Sequence, residues 1–153
     1  MKVRLIVPNE QKEEIERKLL KADIEVSDID FDYTLSFNQF NLDKIIGLKG
    51  SKIFILKQKD ILYFESMNNE VICHTIDDVY LVKYRIYELA SYLAESEFMR
   101  ISQSHIVHLN HINSISPTMN RKFILKLSNN EKIDVTRTYY YQFKEFIEEG
   151  RRK

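Results

Sequence analysis

The sequence predicts a mainly β fold with short helices, of the α+β class, preceded by a short N-terminal β-α-β segment. Three observations support this fold class. Short stretches of alternating apolar and polar residues follow one another from about residue 53, apolar residues recur at helical spacing in only three places, and turn-forming residues separate these stretches. Since the chain has 153 residues, of which 44% are hydrophobic, it can bury one main core and a small additional segment.

The segment of residues 1–45 is predicted to fold as strand, helix and strand. Residues 2–7 alternate between apolar and polar side chains, and Asn9 is the predicted N-cap of a helix over residues 10–21. Residues 24–35 alternate again, which predicts a second strand. The segment is too short for a phosphate-accepting receiver domain, so it either extends the main domain or mediates dimerisation or a regulatory contact.

Residues 46–150 are predicted to form the main domain, in which Gly47 and Gly50 flank a turn. Two helices are predicted there, one over residues 82–93, where apolar residues recur at the spacing of one buried helical face, and one over residues 138–150. The predicted strands of this domain are 53–56, 61–66, 71–76, 80–82, 98–115, 123–127 and 132–135.

The formal charge of the chain is zero, but it is unevenly distributed along the sequence. Residues 98–153 hold 10 Lys and Arg against 5 Asp and Glu, whereas residues 1–97 hold 13 against 18. A basic C-terminal third can bind a polyanion while the rest stays acidic. The alternative is an ordinary solvated surface on which basic residues cluster by chance.

The sequence predicts the cellular compartment of the protein. No apolar run approaches the roughly 20 residues that a membrane span needs, and the N-terminus lacks the apolar region of a signal peptide, so we expect a cytoplasmic protein.

Cys73 lies in a predicted strand and has no second cysteine to pair with. We expect it to be a small buried residue; a redox-sensing thiol is the alternative.

Three motifs stand in the main domain. The most distinctive is FMRISQSHIVHLNHINSI at residues 98–115, predicted as one rigid strand that carries hydrogen-bonding groups next to buried apolar residues. ILYFES at residues 61–66 precedes it, and IDVTRTYYYQF at residues 133–143 follows it. Together and in this order, over about 100 residues, the motifs resemble the LytTR DNA-binding domain family. They depart from it at His108, where the family usually has Asn, and at Thr136, where Ser is commoner.

The resemblance implies a fold, a partner and a role. It implies several small antiparallel sheets whose loops, rather than a recognition helix, enter the major groove of double-stranded DNA. It also implies a bacterial transcription factor, usually with two domains on repeated half-sites, and therefore a homodimer. The short layout without a receiver is similar to stand-alone LytTR regulators, many of which are controlled by a small membrane-protein inhibitor.

The resemblance assigns base contacts to Arg137, Gln103, Asn68 and Asn69. An arginine can donate two hydrogen bonds to guanine O6 and N7, and a glutamine can pair with adenine N6 and N7. The alternatives are that Arg137 is an ordinary surface cation and that Gln103 contacts a sugar or the minor groove. Glu70, in the same loop as the two asparagines, would repel phosphate.

Phosphate contacts are assigned to Arg100, Ser102, Ser104 and Lys83. Cations and hydroxyl groups of this kind supply affinity and register on DNA, but they carry no sequence information. For Lys83, the alternative is a solvated position on the face of the predicted helix.

A metal site built from His105, His108 and His111 is the competing chemistry. On a continuous strand, His105 and His111 would point one way and His108 the other, so the sequence predicts no metal, and His108 is expected to make a buried hydrogen bond. No catalytic motif is found, and three glycines leave little room for a phosphate-binding loop, so neither a cofactor nor an enzyme is expected. The alternative function is a protein-interaction or sensory module that binds DNA weakly or not at all.

Overall fold

The computed structural model describes residues 1–36, 42, 44–94 and 96–152, and the chain divides into two compact units, Met1–Phe40 and Asn41–Lys153. The sequence had placed this boundary after residue 45. The structure is mainly β with a few short helices and several antiparallel sheets, which confirms the predicted fold class. Within the described residues, no helix is long and apolar enough to cross a membrane.

The first unit contains a three-stranded sheet and one helix. Its strand β1 lies in the centre and pairs in parallel with β2 on one side and β3 on the other. Val3 and Leu5 of β1 are buried, as the alternating pattern predicts. The elements are β1 at Lys2–Ile6, α1 at Asn9–Lys21, β2 at Glu25–Val26 and β3 at Tyr33–Ser36.

Two predictions for this unit were wrong in detail. The single strand over residues 24–35 is divided, because the Ser27 hydroxyl accepts hydrogen bonds from the N–H groups of Ile29 (3.3 Å) and Asp30 (3.2 Å) and turns the chain after β2. The N-cap of α1 is Pro8, not Asn9, since the Pro8 carbonyl already accepts a hydrogen bond from a backbone N–H in the first helical turn.

The second unit contains a seven-stranded sheet and a three-stranded sheet, both antiparallel throughout. The larger has the order β5-β4-β8-β7-β6-β10-β9, and the smaller has the order β11-β12-β13. The strands of the larger sheet are β4 at Lys44–Lys49, β5 at Lys52–Lys57, β6 at Ile61–Met67, β7 at Glu70–Thr75, β8 at Val79–Val82, β9 at Phe98–Arg100 and β10 at His105–His108. The others are β11 at Ile112–Pro117, β12 at Phe123–Leu127 and β13 at Lys132–Val135, and the helices are α2 at Ile86–Tyr92 and α3 at Tyr140–Arg152.

One hydrophobic core connects the two sheets of the second unit with its last helix. It combines side chains of β6 and β10 with side chains of β12, β13 and α3. Removing this apolar surface from water is the main force that holds the smaller sheet against the larger one. The most deeply buried members are Leu62, Ile101, Val107, Leu125, Leu127, Val135 and Phe143.

The prediction of one rigid strand over residues 98–115 was wrong. The chain forms β9, turns through the loop 101–104 and returns as β10, which pairs antiparallel with β9. The Ile101 N–H closes this loop by donating to the carbonyl of His105 at 3.0 Å. A second break follows β10, where a short 3-10 helix at Leu109–His111 precedes β11. The polar row of the motif therefore lies in a tight loop.

The helix predicted over residues 82–93 begins later than its apolar spacing indicates. Val82 is the last residue of β8, and α2 begins at Ile86. The cause is a cap, because the Glu88 carboxylate accepts a hydrogen bond from the Arg85 backbone N–H at 3.0 Å. Lys83 therefore lies in a bend before the helix.

Candidate nucleic-acid interface

Three polar segments that are far apart in the sequence lie next to one another in the second unit. They are the turn between β6 and β7 (residues 67–70), the loop between β9 and β10 (residues 101–104) and the segment that links β13 to α3 (residues 136–139). We refer to these three segments together as the loop surface. Each carries at least one residue that the sequence assigns to a base contact.

Backbone hydrogen bonds tie the loop 101–104 to the residue just before the first segment and to the first residue of the third. The Ser66 N–H, at the end of β6, donates to the Ser104 carbonyl at 2.8 Å. The Thr136 N–H donates to the Ile101 carbonyl at 3.0 Å. The loop 101–104 is thus the central member, and it is fixed by β6 on one side and by the residue that follows β13 on the other.

Gln103 is exposed at the tip of the central loop, and Arg100 supports it from β9. Arg100 Nε donates to the Ser102 carbonyl at 3.1 Å, and its Nη2 donates to the Gln103 carbonyl at 2.6 Å. The guanidinium carbon also lies 5.8 Å from the ring centroid of Tyr139. Arg100 was predicted as a phosphate contact; two of its donors stabilise the loop, and its side chain is only partly exposed.

The two serines that flank Gln103 turn inward. The Ser102 and Ser104 hydroxyls lie 3.1 Å and 3.0 Å from Nδ1 of His105. Ser102 is only 6% exposed, and Ser104 is partly buried. Their predicted phosphate contacts remain a prediction, and the geometry assigns them a role in shaping the loop.

Arg137 is exposed at the start of a short 3-10 helix, Arg137–Tyr139. Its Nε donates to the carbonyl of Asn120 at 3.1 Å. This bond places the turn between β11 and β12 beside the loop surface and brings in Arg121 and Lys122. The sequence analysis missed both residues, although they belong to the basic C-terminal third.

Asn68 and Asn69 are the two central residues of the turn between β6 and β7. Both are exposed, and both have positive φ values, 53° and 65°. A two-residue hairpin turn with positive φ at both positions is of type I′, for which asparagine is a favoured residue. The turn therefore requires residues of this kind whether or not their amides contact a base.

Lys83 lies in an open groove beside this turn. The groove has a volume of about 750 Å³, and Lys83 is exposed within it. The predicted position on a helix face is wrong, because the bend before α2 carries the residue instead. Residues that line the groove include Ser66, Asn69, Glu70, Lys83, Arg85 and Tyr87.

The predicted alternation of the histidines is also wrong. Because a 3-10 helix interrupts the strand, the rings of His108 and His111 contact each other at a centroid distance of 5.0 Å. His108 is buried, and its Nδ1 accepts a hydrogen bond from the Asn110 N–H at 3.1 Å, which confirms the predicted buried hydrogen bond. Burial lowers the pKa of this imidazole. Among the residues that the structure describes, no three His, Cys, Asp or Glu side chains are arranged to hold a metal ion.

Comparison with known proteins supports the interpretation of the motifs. The model of the LytTr DNA-binding domain family matches residues 51–148, more than half of the chain. A solved LytTr DNA-binding domain from Bacillus cereus superimposes with a TM-score of 0.66 at 22% sequence identity, covering 69% of this chain and 96% of that one. The resemblance that the three motifs indicated is confirmed at the level of the family and the fold.

Curated relatives share the same region. The sensory transduction protein LytT of Bacillus subtilis (strain 168) is 31% identical over 98 residues, 64% of this chain and 41% of that protein. The transcriptional regulatory protein YpdB of Escherichia coli (strain K12) is 29% identical over 106 residues, and LytR of Staphylococcus aureus (strain N315) is 28% identical over 108. The matches cover 69% and 70% of this chain and 43% and 44% of those proteins, so the chain matches less than half the length of these relatives.

Proposed function

Because this chain belongs to the LytTr DNA-binding domain family, we propose that it is a sequence-specific, non-enzymatic transcriptional regulator whose loop surface enters the major groove of double-stranded DNA. The observation that carries the proposal is that backbone hydrogen bonds link the loop 101–104 to the end of β6 and to Thr136, with Gln103, Arg137 and the two turn asparagines all exposed. Loops held by rigid strands can present side chains to a ligand with little loss of conformational entropy on binding.

Arg137 is the strongest candidate for a base contact. Its Nε is engaged by the Asn120 carbonyl, which orients the guanidinium plane and leaves the two terminal amino groups to donate to guanine O6 and N7. Gln103 and the amides of Asn68 and Asn69 supply further donors and acceptors for base edges. All three side chains are exposed, and each amide has both a donor and an acceptor for a base edge.

Phosphate contacts are proposed for cations around the loop surface. Lys83 lies in the groove beside the β6–β7 turn, and Arg121 and Lys122 lie in the turn bonded to Arg137. Ser104 remains a proposed phosphate contact, whereas the geometry of Arg100 and Ser102 favours loop support. Binding as a homodimer to repeated half-sites and control by a small membrane-protein inhibitor remain proposals that come from the family resemblance.

The test is the substitution Arg137→Ala. We expect the variant to stay folded and to lose roughly 1–3 kcal/mol of specific binding free energy, because one bidentate contact to a base pair is removed. The measurement is a titration with a duplex selected from a random DNA pool. Lys59→Ala, an exposed cation of the second unit just before β6, is the control and should bind as wild type. Wild-type affinity in Arg137→Ala would contradict the assignment of this residue.

A protein-interaction module is the second candidate function. It is favoured by three isoleucines, Ile46, Ile53 and Ile55, which are exposed on the neighbouring strands β4 and β5. An affinity that falls steeply as salt concentration rises is expected for a protein that displaces counterions from phosphates. A protein that does not bind DNA would show no such dependence, and this outcome would favour the interaction module.

A further inference from the structure

A histidine lies directly behind the loop that carries Gln103. His105 is the first residue of β10, and its Nδ1 is within 3.1 Å of the hydroxyls of both Ser102 and Ser104. The Ser102 hydroxyl in turn accepts a hydrogen bond from the Ser104 N–H at 3.3 Å. Both serine hydroxyls of the loop therefore contact the same imidazole nitrogen, Nδ1 of His105.

The other side of this imidazole faces a carboxylate. His105 Nε2 lies 3.7 Å from Oε1 of Glu65, whose Oε2 lies 3.0 Å from Nε2 of His74. Tyr63 stacks on His74 with ring centroids 4.1 Å apart and lies 5.9 Å from the His105 ring. A carboxylate opposite Nε2 favours the tautomer with its proton on Nε2, which leaves Nδ1 as an acceptor for the serine hydroxyls.

This arrangement determines which side chain of the loop faces outward. Because the residues before and after Gln103 both turn toward His105, the Gln103 side chain between them is left in solvent. We propose that His105, oriented by Glu65, is a positioning residue that presents Gln103 to DNA, so that base discrimination depends on an imidazole behind the reading loop. This inference rests on the proposed DNA-binding function and adds a determinant of its specificity.

The proposal has a consequence for pH. Burial lowers the pKa of His105, while Glu65 and Asp134 act in the opposite direction. The histidine is therefore neutral at pH 7, and a proton added in acid would turn Nδ1 from an acceptor into a donor and force the hydroxyls to rotate. The titratable and charged groups around it are Glu65 and Tyr63 on β6, His74 on β7, and Lys132 and Asp134 on β13.

The experiment compares two substitutions in the full chain, with a selected duplex and a scrambled duplex as probes. His105→Phe keeps an aromatic ring but removes the acceptor, and we expect the ratio of selected to scrambled affinity to fall about tenfold. His105→Asn keeps an amide that can reach the place of Nδ1, and it should restore most of the ratio. His111→Phe, a histidine beyond the far end of β10, is the matched control and should leave the ratio unchanged.

A double substitution tests whether His105 acts through Gln103. In a Gln103→Ala background, His105→Phe should lower the ratio no further, since the contact it positions is already absent. For the wild type, the ratio should be constant from pH 8 to about 6.5 and fall below that, and His105→Asn should show no such fall. Thermal unfolding of each variant identifies any that fails to fold. If His105→Phe fails to fold, the comparison of the wild type with His105→Asn across pH tests the proposal instead.

The outcomes separate this inference from the proposed function. If the wild type does not distinguish the two duplexes, the proposed function itself fails. If Gln103→Ala lowers the ratio but folded His105→Phe does not, only the positioning role is overturned. A His105→Phe protein that loses affinity for both duplexes equally would also overturn it, because that result indicates a purely structural histidine.

Discussion

Polar residues in and next to the loop surface fall into two groups, those that hydrogen-bond within the molecule and those that are open to solvent. Arg100 directs two donors at carbonyls of its own loop, and Ser102 points to a histidine behind it, so both are used within the molecule. Gln103 and Arg137 are exposed and keep side-chain donors directed at solvent. A buried or paired polar group stabilises structure, whereas an exposed group on a rigid support is available to a ligand.

Arg100 provides a test of this division. A lysine keeps the positive charge but cannot reproduce the two-pronged contact with the carbonyls of residues 102 and 103. If Arg100 supports the loop, Arg100→Lys should lower discrimination between selected and scrambled DNA while the salt dependence of binding stays the same. If Arg100 instead contacts phosphate, Arg100→Lys should keep the discrimination, because lysine retains the charge and phosphate contacts carry no sequence information.

Cys73 provides a residue-scale prediction about stability. The thiol is fully buried in β7, as the sequence predicted, and burial raises its pKa to about 12. The native state therefore keeps the proton at pH values where the unfolded chain, with a pKa near its ordinary value, loses it. Stability should fall as pH rises from about 9 to 12, by up to about 1.4 kcal/mol per pH unit.

The measurement for Cys73 is the free energy of unfolding in denaturant at several alkaline pH values. Cys73→Ala removes the titrating thiol and leaves the tyrosines in place, so it serves as the matched reference. The difference in stability between wild type and variant should shrink or reverse as pH rises. A difference that is constant from pH 8 to 11 would show that the thiol is not protected in the native state.

At the scale of elements, Gly47 allows β4 to pack closely against both of its neighbouring strands. Gly47, predicted at a turn, lies within β4, where an added Cβ would be 2.7 Å from a side-chain carbon of Leu56 and 2.9 Å from Cβ of Tyr80. Gly50 alone occupies the turn, with a φ of 61°. The absence of a side chain at Gly47 allows β4, β5 and β8 to pack as neighbours.

Gly47→Ala should therefore destabilise the second unit by about 1–3 kcal/mol, because the extra methyl group overpacks this contact. The control is Gly150→Ala, since that glycine lies in α3 and a Cβ there meets nothing within 4 Å. Alanine in a helix is expected to leave stability unchanged or raise it by up to about 1 kcal/mol. Denaturant unfolding of both variants gives the comparison, and equal stability of the two would contradict the packing argument.

For the molecule as a whole, charge separation is the feature that matters for a polyanion. The formal charge is zero, yet residues 98–153 carry twice as many basic as acidic residues. The loop surface draws two of its three segments from this region, and the turn with Arg121 and Lys122 adds further cations. The first unit, Met1–Phe40, holds 9 Asp and Glu against 6 Lys and Arg, and its role in dimerisation or regulation stays a prediction.

The salt dependence of DNA binding tests the basic surface. Each phosphate contact contributes roughly −0.9 to the slope of log affinity against log salt concentration. Lys83→Ala should therefore make the slope shallower by about 1 and weaken binding to selected and scrambled duplexes alike. Lys59→Ala, an exposed lysine at the opposite end of β6 from the β6–β7 turn, should leave the slope unchanged. If both variants keep the wild-type slope, Lys83 does not contact phosphate.

Local sequence patterns predicted which strands and helices exist better than they predicted where each one begins and ends. The hairpin of β6 and β7 and the strands β12 and β13 lie close to where their apolar residues placed them. Alternate residues of β7, β12 and β13 face a buried core, whereas the first four residues of β6 are all buried. The strand predicted over residues 98–115 and the helix predicted from residue 82 were wrong where a single polar side chain caps or turns the chain. In both places a side-chain hydroxyl, imidazole or carboxylate accepts a hydrogen bond from a backbone N–H group. This bond, rather than the apolar spacing, determines where the element ends or begins.

The sequence by itself determined the fold class, the family and the basic C-terminal third, because alternation, motif order and charge are properties of neighbouring residues. Only the tertiary structure decided that three distant loops lie together, that Ser102 is buried while Gln103 is exposed, and that Arg121 and Lys122 lie beside Arg137. The reason is physical, since these contacts join residues far apart in the sequence: the Ser66–Ser104 bond forms only when β6 and β10 pair, and the Thr136–Ile101 bond only when the two sheets have packed on a common core.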